Sequence, residues 1–167
     1  KSVGDSLVEP DKVDIAQAAL DKAAERGVEF LLPSDNLISQ MNDGKWADPE
    51  VNRAEDIPDG REGVDIGPAT AARYAEAITG AKTILWNGPM GIFEDARFAK
   101  GTMAVAVAVA GATGAGAVSI IGGGDSVKAL NQNGLAGQVT FMSTGGGASL
   151  EFLEGNELPG VAALSEK

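Results

Sequence analysis

Ala117-Val118-Ser119-Ile120-Ile121-Gly122-Gly123-Gly124-Asp125-Ser126 is the stretch on which the fold turns. A short apolar run rich in β-branched residues suits a buried strand, and the run from Ala117 to Ile121 ends abruptly in three glycines. A helical pattern follows from about Ser126 to Asn133-Gly134. Strand, glycine loop and helix therefore succeed one another within about 18 residues, as in one turn of an α/β sheet. The unit recurs on both sides. Upstream, Thr83-Ile84-Leu85-Trp86 leads into Asn87-Gly88-Pro89-Met90-Gly91 and a helix expected over about Ala96–Ala112. Downstream, Val139–Met142 leads into Gly145-Gly146-Gly147 and a short helix through Leu153.

Strands separated by helices and joined by short β-to-α loops predict a parallel α/β sheet with helices on both faces, a Rossmann-like arrangement. Ligands of such sheets sit outside the carboxyl ends of the strands, so the three glycine loops are expected on one rim. Toward the N-terminus, spacings of three and four predict a helix over Asp11–Arg26, with Gly27 at its end, then a buried strand over Val28–Leu32 that Pro33 stops. Residues 33–67 are rich in Asp, Asn, Gly and Pro without a sustained period, and read as a long excursion with short strands. A helix opens at Gly67-Pro68 and closes at Gly80.

Composition removes much chemistry. The 167 residues suffice for one domain with a core. They include no Cys and no His, which excludes disulfides, thiolate or imidazole metal sites, a Cys nucleophile and a Ser-His-Asp triad within this chain. No stretch approaches about 18 consecutive apolar residues, so no membrane span is expected, and no basic–apolar–small leader pattern is seen, so no signal peptide is expected. The absence of Cys is consistent with the cytoplasmic location that is expected. The net charge of −11 opposes binding to nucleic acid backbones. It is concentrated in residues 1–95, which carry 19 acidic and 9 basic groups, whereas residues 96–167 carry 5 and 4. An anionic ligand is therefore expected on the glycine-rich second part.

Each loop admits two readings. Three glycines between a strand and a helix let backbone N–H groups converge on an anion at the helix N-terminus, with Asp125 holding magnesium and Ser126 capping the helix or bonding a phosphate oxygen. Alternatively they make a tight turn with Asp125 as N-cap. A second copy of the device at Ser143–Ser149 favours the anion reading, since two such N-termini on one rim can grip a polyphosphate. In the Trp86–Glu94 loop, Glu94 is either an acceptor for sugar hydroxyls or a surface charge. Neither a Walker A motif nor the single-loop dinucleotide fingerprint of a dehydrogenase is present.

Taken together, Leu85-Trp86-Asn87-Gly88-Pro89-Met90-Gly91-Ile92-Phe93-Glu94, Ile121–Ser126 and Ser143-Thr144-Gly145-Gly146-Gly147-Ala148-Ser149-Leu150-Glu151 strongly resemble phosphoglycerate kinase. So do Leu32-Pro33-Ser34-Asp35, Asp65-Ile66-Gly67-Pro68 and Leu158-Pro159-Gly160-Val161, in order along the chain from about Gly4. The resemblance implies transfer of a phosphoryl group between 1,3-bisphosphoglycerate and ADP, with magnesium, giving ATP and 3-phosphoglycerate. It implies that Gly123, Gly124, Asp125 and Ser126 meet the nucleotide phosphates, that Asp125 is the magnesium ligand and that Glu94 binds the ribose. Leu7, Gly63, Val64, Pro89 and Ile92 then wall the adenine and ribose pocket, and Asn87 lies near the phosphates. Gly146 and Gly147, together with Gly123, serve the transfer itself.

On this resemblance residues 1–167 form a single, truncated C-terminal nucleotide-binding domain, lacking its first strands. The basic domain that holds phosphoglycerate and the phosphate-contacting lysines have no counterpart here. Lys128 follows the Gly-Gly-Gly-Asp loop but matches no family lysine. Isolated, the chain is expected to lack turnover. The alternatives are a non-catalytic nucleotide-binding module and a piece that self-associates through an open sheet edge.

Overall fold

The computed structural model describes residues 2–164. A 3-10 turn at Pro10–Lys12 leads into α1 (Val13–Glu25), and Gly27 follows in the left-handed region at φ 64°. The predicted α1 forms, but Val13 and Ile15 on it are exposed and none of its residues is buried. Helical periodicity specified an apolar stripe, and that stripe meets no core among the described residues.

The strand expected at Val28–Leu32 is not formed. The segment joins no ladder, and Val28, Phe30 and Leu32 are all more than half exposed. An apolar run becomes a strand only when a neighbour takes its backbone groups. Here Leu31 offers its carbonyl to the Tyr74 hydroxyl instead, at 2.9 Å.

The excursion contains the short strands that were expected: β1 (Asn36–Ser39), β2 (Met41–Asn42), β3 (Lys45–Trp46), β4 (Glu50–Asn52) and β5 (Glu62–Ile66). β1 lies antiparallel between β4 and β5, with an irregularity at Leu37/Ile38, while β2 and β3 form a separate hairpin. α2 (Pro68–Gly80) starts behind Gly67, as read.

The second part is the expected parallel sheet. β6 (Thr83–Asn87), β7 (Val118–Gly122) and β8 (Phe141–Ser143) run parallel in the order β6-β7-β8. Between them lie α3 (Lys100–Gly114) and α4 (Gly124–Gln132), and after them α5 (Gly146–Leu153) and α6 (Pro159–Ala162). Strand side chains alternate between faces. Ile84, Trp86 and Ile121 turn to one face and pack with Val105 and Val109 of α3 and Leu130 of α4. Leu85 and Ile120 turn to the other, where Ala148, Phe152 and Leu153 of α5 flank a shallow groove. The sheet thus has helices on both faces. α3 begins at Lys100, later than about Ala96, because Asp95 takes the Arg97 N–H (2.9 Å) and guanidinium (2.7 Å) into a local turn that competes with the helix.

Two helix N-termini are capped from a distance. The N-cap of α2 is Gly67, which has no side chain, and the buried Asp35 supplies the acceptor. Its carboxylate receives the N–H groups of Ala69 (3.0 Å) and Thr70 (2.7 Å) and the Thr70 hydroxyl (2.6 Å). Asp65, at the end of β5, likewise receives the Gly101 N–H of α3 at 2.6 Å. A Cβ on either Gly67 or Gly101 would collide with the capping carboxylate. The two helix N-termini are thereby fixed to the antiparallel sheet and the residue that precedes it.

Candidate functional site: a glycine-lined rim

The three parallel strands end level. Asn87 pairs with Gly122, and Gly122 with Ser143, so the loops leaving them start side by side on one rim. The loops also touch. The Gly123 N–H donates to the Ser143 carbonyl at 3.0 Å, and Gly123 sits at φ 88°, where a side chain is strained. A Cβ on Gly123 would lie 2.6 Å from Asn87 Oδ1, and one on Gly146 would lie 2.7 Å from Gly123 Cα. Asn87, Gly123 and Gly146 therefore converge on one point.

α4 and α5 both begin here. Neither has a side-chain cap, and the first N–H groups of any helix lack an intrahelical acceptor. Gly124 and Gly147 are exposed while Gly146 is buried, so two sets of uncommitted backbone donors face the same rim. Asp125 is exposed in the first turn of α4, and its carboxylate has no hydrogen bond or ion pair among the described residues. The N-cap is Gly123, so Asp125 does not serve as the cap. Ser126 is not the cap either. It is fully buried, and its hydroxyl receives the Gly88 N–H at 2.7 Å.

The Trp86–Glu94 loop is fixed along its length. Trp86 Nε1 donates to the Gly88 carbonyl at 2.6 Å, the Met90 N–H to the Thr102 hydroxyl at 3.0 Å, and the Ile92 N–H to the Val64 carbonyl at 2.9 Å. Trp86 and Phe93 are buried, and Pro89 is half-buried between them. Ile92 is thus brought to Val64. Beside Val64, the Gly63 N–H donates to Ser6 Oγ at 2.9 Å, and Leu7, the next residue along the chain, is 95% exposed. Gly63, Val64 and Ile92 lie together, although the Val64 side chain is buried and only its backbone reaches Ile92, whereas the Leu7 side chain stands in solvent. Glu94 is exposed, and its carboxylate has no partner among the described residues.

Thr102 was not read from the sequence. Its signal is faint: one of two hydroxyls, with Thr113, in an Ala/Val-rich helix. A larger cleft of about 470 Å³ lies elsewhere, between α2, α3 and the antiparallel sheet. Ala71, Ala75, Ala104, Leu37 and Val51 line it, and none of the expected site residues does. The rim is an open surface, and its chemistry rather than its enclosure makes it the candidate site.

Known proteins agree on the ancestry. The sequence model of the phosphoglycerate kinase family matches residues 1–156. The phosphoglycerate kinase of Clostridium novyi (strain NT) is 55% identical over 166 residues, covering 99% of this chain and 41% of the relative. That of Chlorobium limicola is 54% identical over 165 residues, 98% of this chain and again 41% of the relative. Among solved structures, phosphoglycerate kinase from Coxiella burnetii superimposes with a TM-score of 0.86 at 42% identity over 96% of this chain and 41% of that one. The Pyrococcus horikoshii OT3 enzyme gives 0.76 at 34% identity, with 92% and 36% covered. The chain spans about two fifths of the length of the relatives it matches.

Proposed function

Since the chain belongs to the phosphoglycerate kinase family, we propose that residues 1–167 are the nucleotide-binding part of such an enzyme, holding ADP or ATP while a phosphoryl group passes to or from 1,3-bisphosphoglycerate. The observation that carries this reading is the convergence of Asn87, Gly123 and Gly146 at the level ends of three parallel strands. Phosphoryl transfer asks for positioning and charge stabilisation more than for a covalent catalyst, which suits a chain without His or Cys.

In this reading the polyphosphate lies across the N-termini of α4 and α5. The N–H groups of Gly124, Asp125 and Ser126 hold the nucleotide phosphates, and those of Gly146 and Gly147 hold the transferring group, where charge spreads over its oxygens. Gly123 brings the two loops together. Glu94 accepts from the ribose hydroxyls, and Leu7, Gly63, Val64, Pro89 and Ile92 border the base. Among the described residues no three carboxylates converge on a common metal position. The partnerless Asp125 fits a magnesium ion that arrives with the nucleotide, since such ions take one or two carboxylates plus phosphate oxygens. When bound, that ion offsets phosphate charge. 3-Phosphoglycerate or 1,3-bisphosphoglycerate is assigned to the part of the relatives that this chain does not span, and the activity to glycolysis in the cytoplasm.

Calorimetric titration of the chain with magnesium-ADP, beside Asp125→Ala, tests this. Saturable binding that the substitution weakens is expected. The chain alone is expected to give no turnover with 1,3-bisphosphoglycerate, and turnover that persists through repurification would refute that part. A second reading, self-association, draws on β6. It is an edge strand, and Leu31, Ile84 and Trp86 border an open cleft beside it. Light scattering that finds only monomer removes it.

A further inference from the structure

The segment Gly88–Glu94 has no regular secondary structure of its own, yet three elements hold it. α4 receives the Gly88 N–H on Ser126 (2.7 Å), α3 the Met90 N–H on Thr102 (3.0 Å), and β5 the Ile92 N–H on the Val64 carbonyl (2.9 Å). At the far end the hold changes in kind. The Lys128 ammonium, from α4, lies over the Phe93 ring at 5.4 Å from its centroid. Lys128 is exposed and makes no ion pair among the described residues. Arg97, the nearest basic residue along this loop, is engaged by Asp95 and Asp48. Phe93 immediately precedes Glu94, and Lys128 stands three residues after Asp125, on the same side of α4.

We propose that Lys128 is a positioning residue of the nucleotide site: its contact with Phe93 closes the Gly88–Glu94 segment onto α4 and fixes Glu94 relative to Asp125. It acts through Phe93 and does not touch the nucleotide. The proposal rests on the nucleotide reading above. A cation over an aromatic face at an exposed site corresponds to about a threefold change in an equilibrium constant.

The test uses the purified chain, Lys128→Met, which keeps the stem and loses the charge, Lys128→Arg, which keeps both, and Phe93→Leu. Hydrogen exchange is read at the amides of Gly88 and Met90–Phe93, and affinity is read for magnesium-ADP and for adenosine. Expected for Lys128→Met are roughly threefold faster exchange and roughly threefold weaker binding of both ligands. Lys128→Arg restores both, and Lys128→Met has no further effect in the Phe93→Leu background. Loss of ADP affinity alone, with adenosine and exchange unchanged, overturns the proposal in favour of direct phosphate contact. No change in any readout leaves Lys128 a surface lysine and also overturns it. If the wild-type chain binds neither ligand, the nucleotide reading fails, and exchange alone decides whether Lys128 holds the segment.

Discussion

The Asn87 side-chain oxygen occupies the space into which a Cβ on Gly123 would project, 2.6 Å from it. Gly123→Ala therefore drives Asn87 off the rim and adds a backbone penalty of about 1–3 kcal/mol, because φ 88° with ψ 138° is a conformation that glycine alone adopts readily. We expect a modestly destabilised, folded protein whose magnesium-ADP affinity falls at least tenfold. Gly124→Ala, where a Cβ meets nothing, is the comparison, and its unfolding midpoint should match wild type. Equal effects of the two in denaturant titration would contradict this account of the rim.

Asp35 gives a pH signature. Burial pushes its carboxyl up, but hydrogen bonds from Thr70 and Ala69 and the charge of Arg53 outweigh that and hold it below the ordinary value of 3.8. An acid lowered in the folded state contributes stability that is complete above the unfolded pKa and lost as pH falls through the folded one. Asp35→Asn should thus destabilise at neutral pH by about 1 kcal/mol, as for a lost helix cap. The gap to wild type should close only below about pH 4. Urea titrations at several pH values check it, and a gap already closed near neutrality would count against it.

Asp65 should behave with the opposite sign. Burial pushes its carboxyl above 3.8, and the N–H groups of Gly101 and Ile66 offset that only in part. The folded state then binds the proton more tightly than the unfolded one, so stability rises as pH falls through the raised folded value, until about the unfolded value. Relative to Asp65→Asn, wild type should gain stability across that window. A difference that stays flat or shrinks as the pH is lowered would contradict the assignment.

These two carboxylates also show where a sequence stops being legible. The Ile121–Ser126 loop could be read because strand, glycines and helix are consecutive, and each signal is local. Asp35 and Asp65 cap helices 34 to 36 residues away, and nothing nearby distinguishes them from loop or strand acids. Val28–Leu32 misled for a related reason, since apolar composition states that a segment can pair but not that a partner is present. Ser126 belongs to that same legible stretch, but its burial against Gly88 depends on a contact 38 residues away.

The most direct test follows backbone amide shifts, residue by residue, as magnesium-ADP is added to the isotope-labelled chain. The account predicts saturable shifts at Gly123–Ser126, Gly146, Gly147 and Ile92, with Leu37, Val51 and Ala75 in the larger cleft unmoved. Shifts confined to that cleft, or no saturable shift in a folded chain, would contradict the claim that this rim is the nucleotide site.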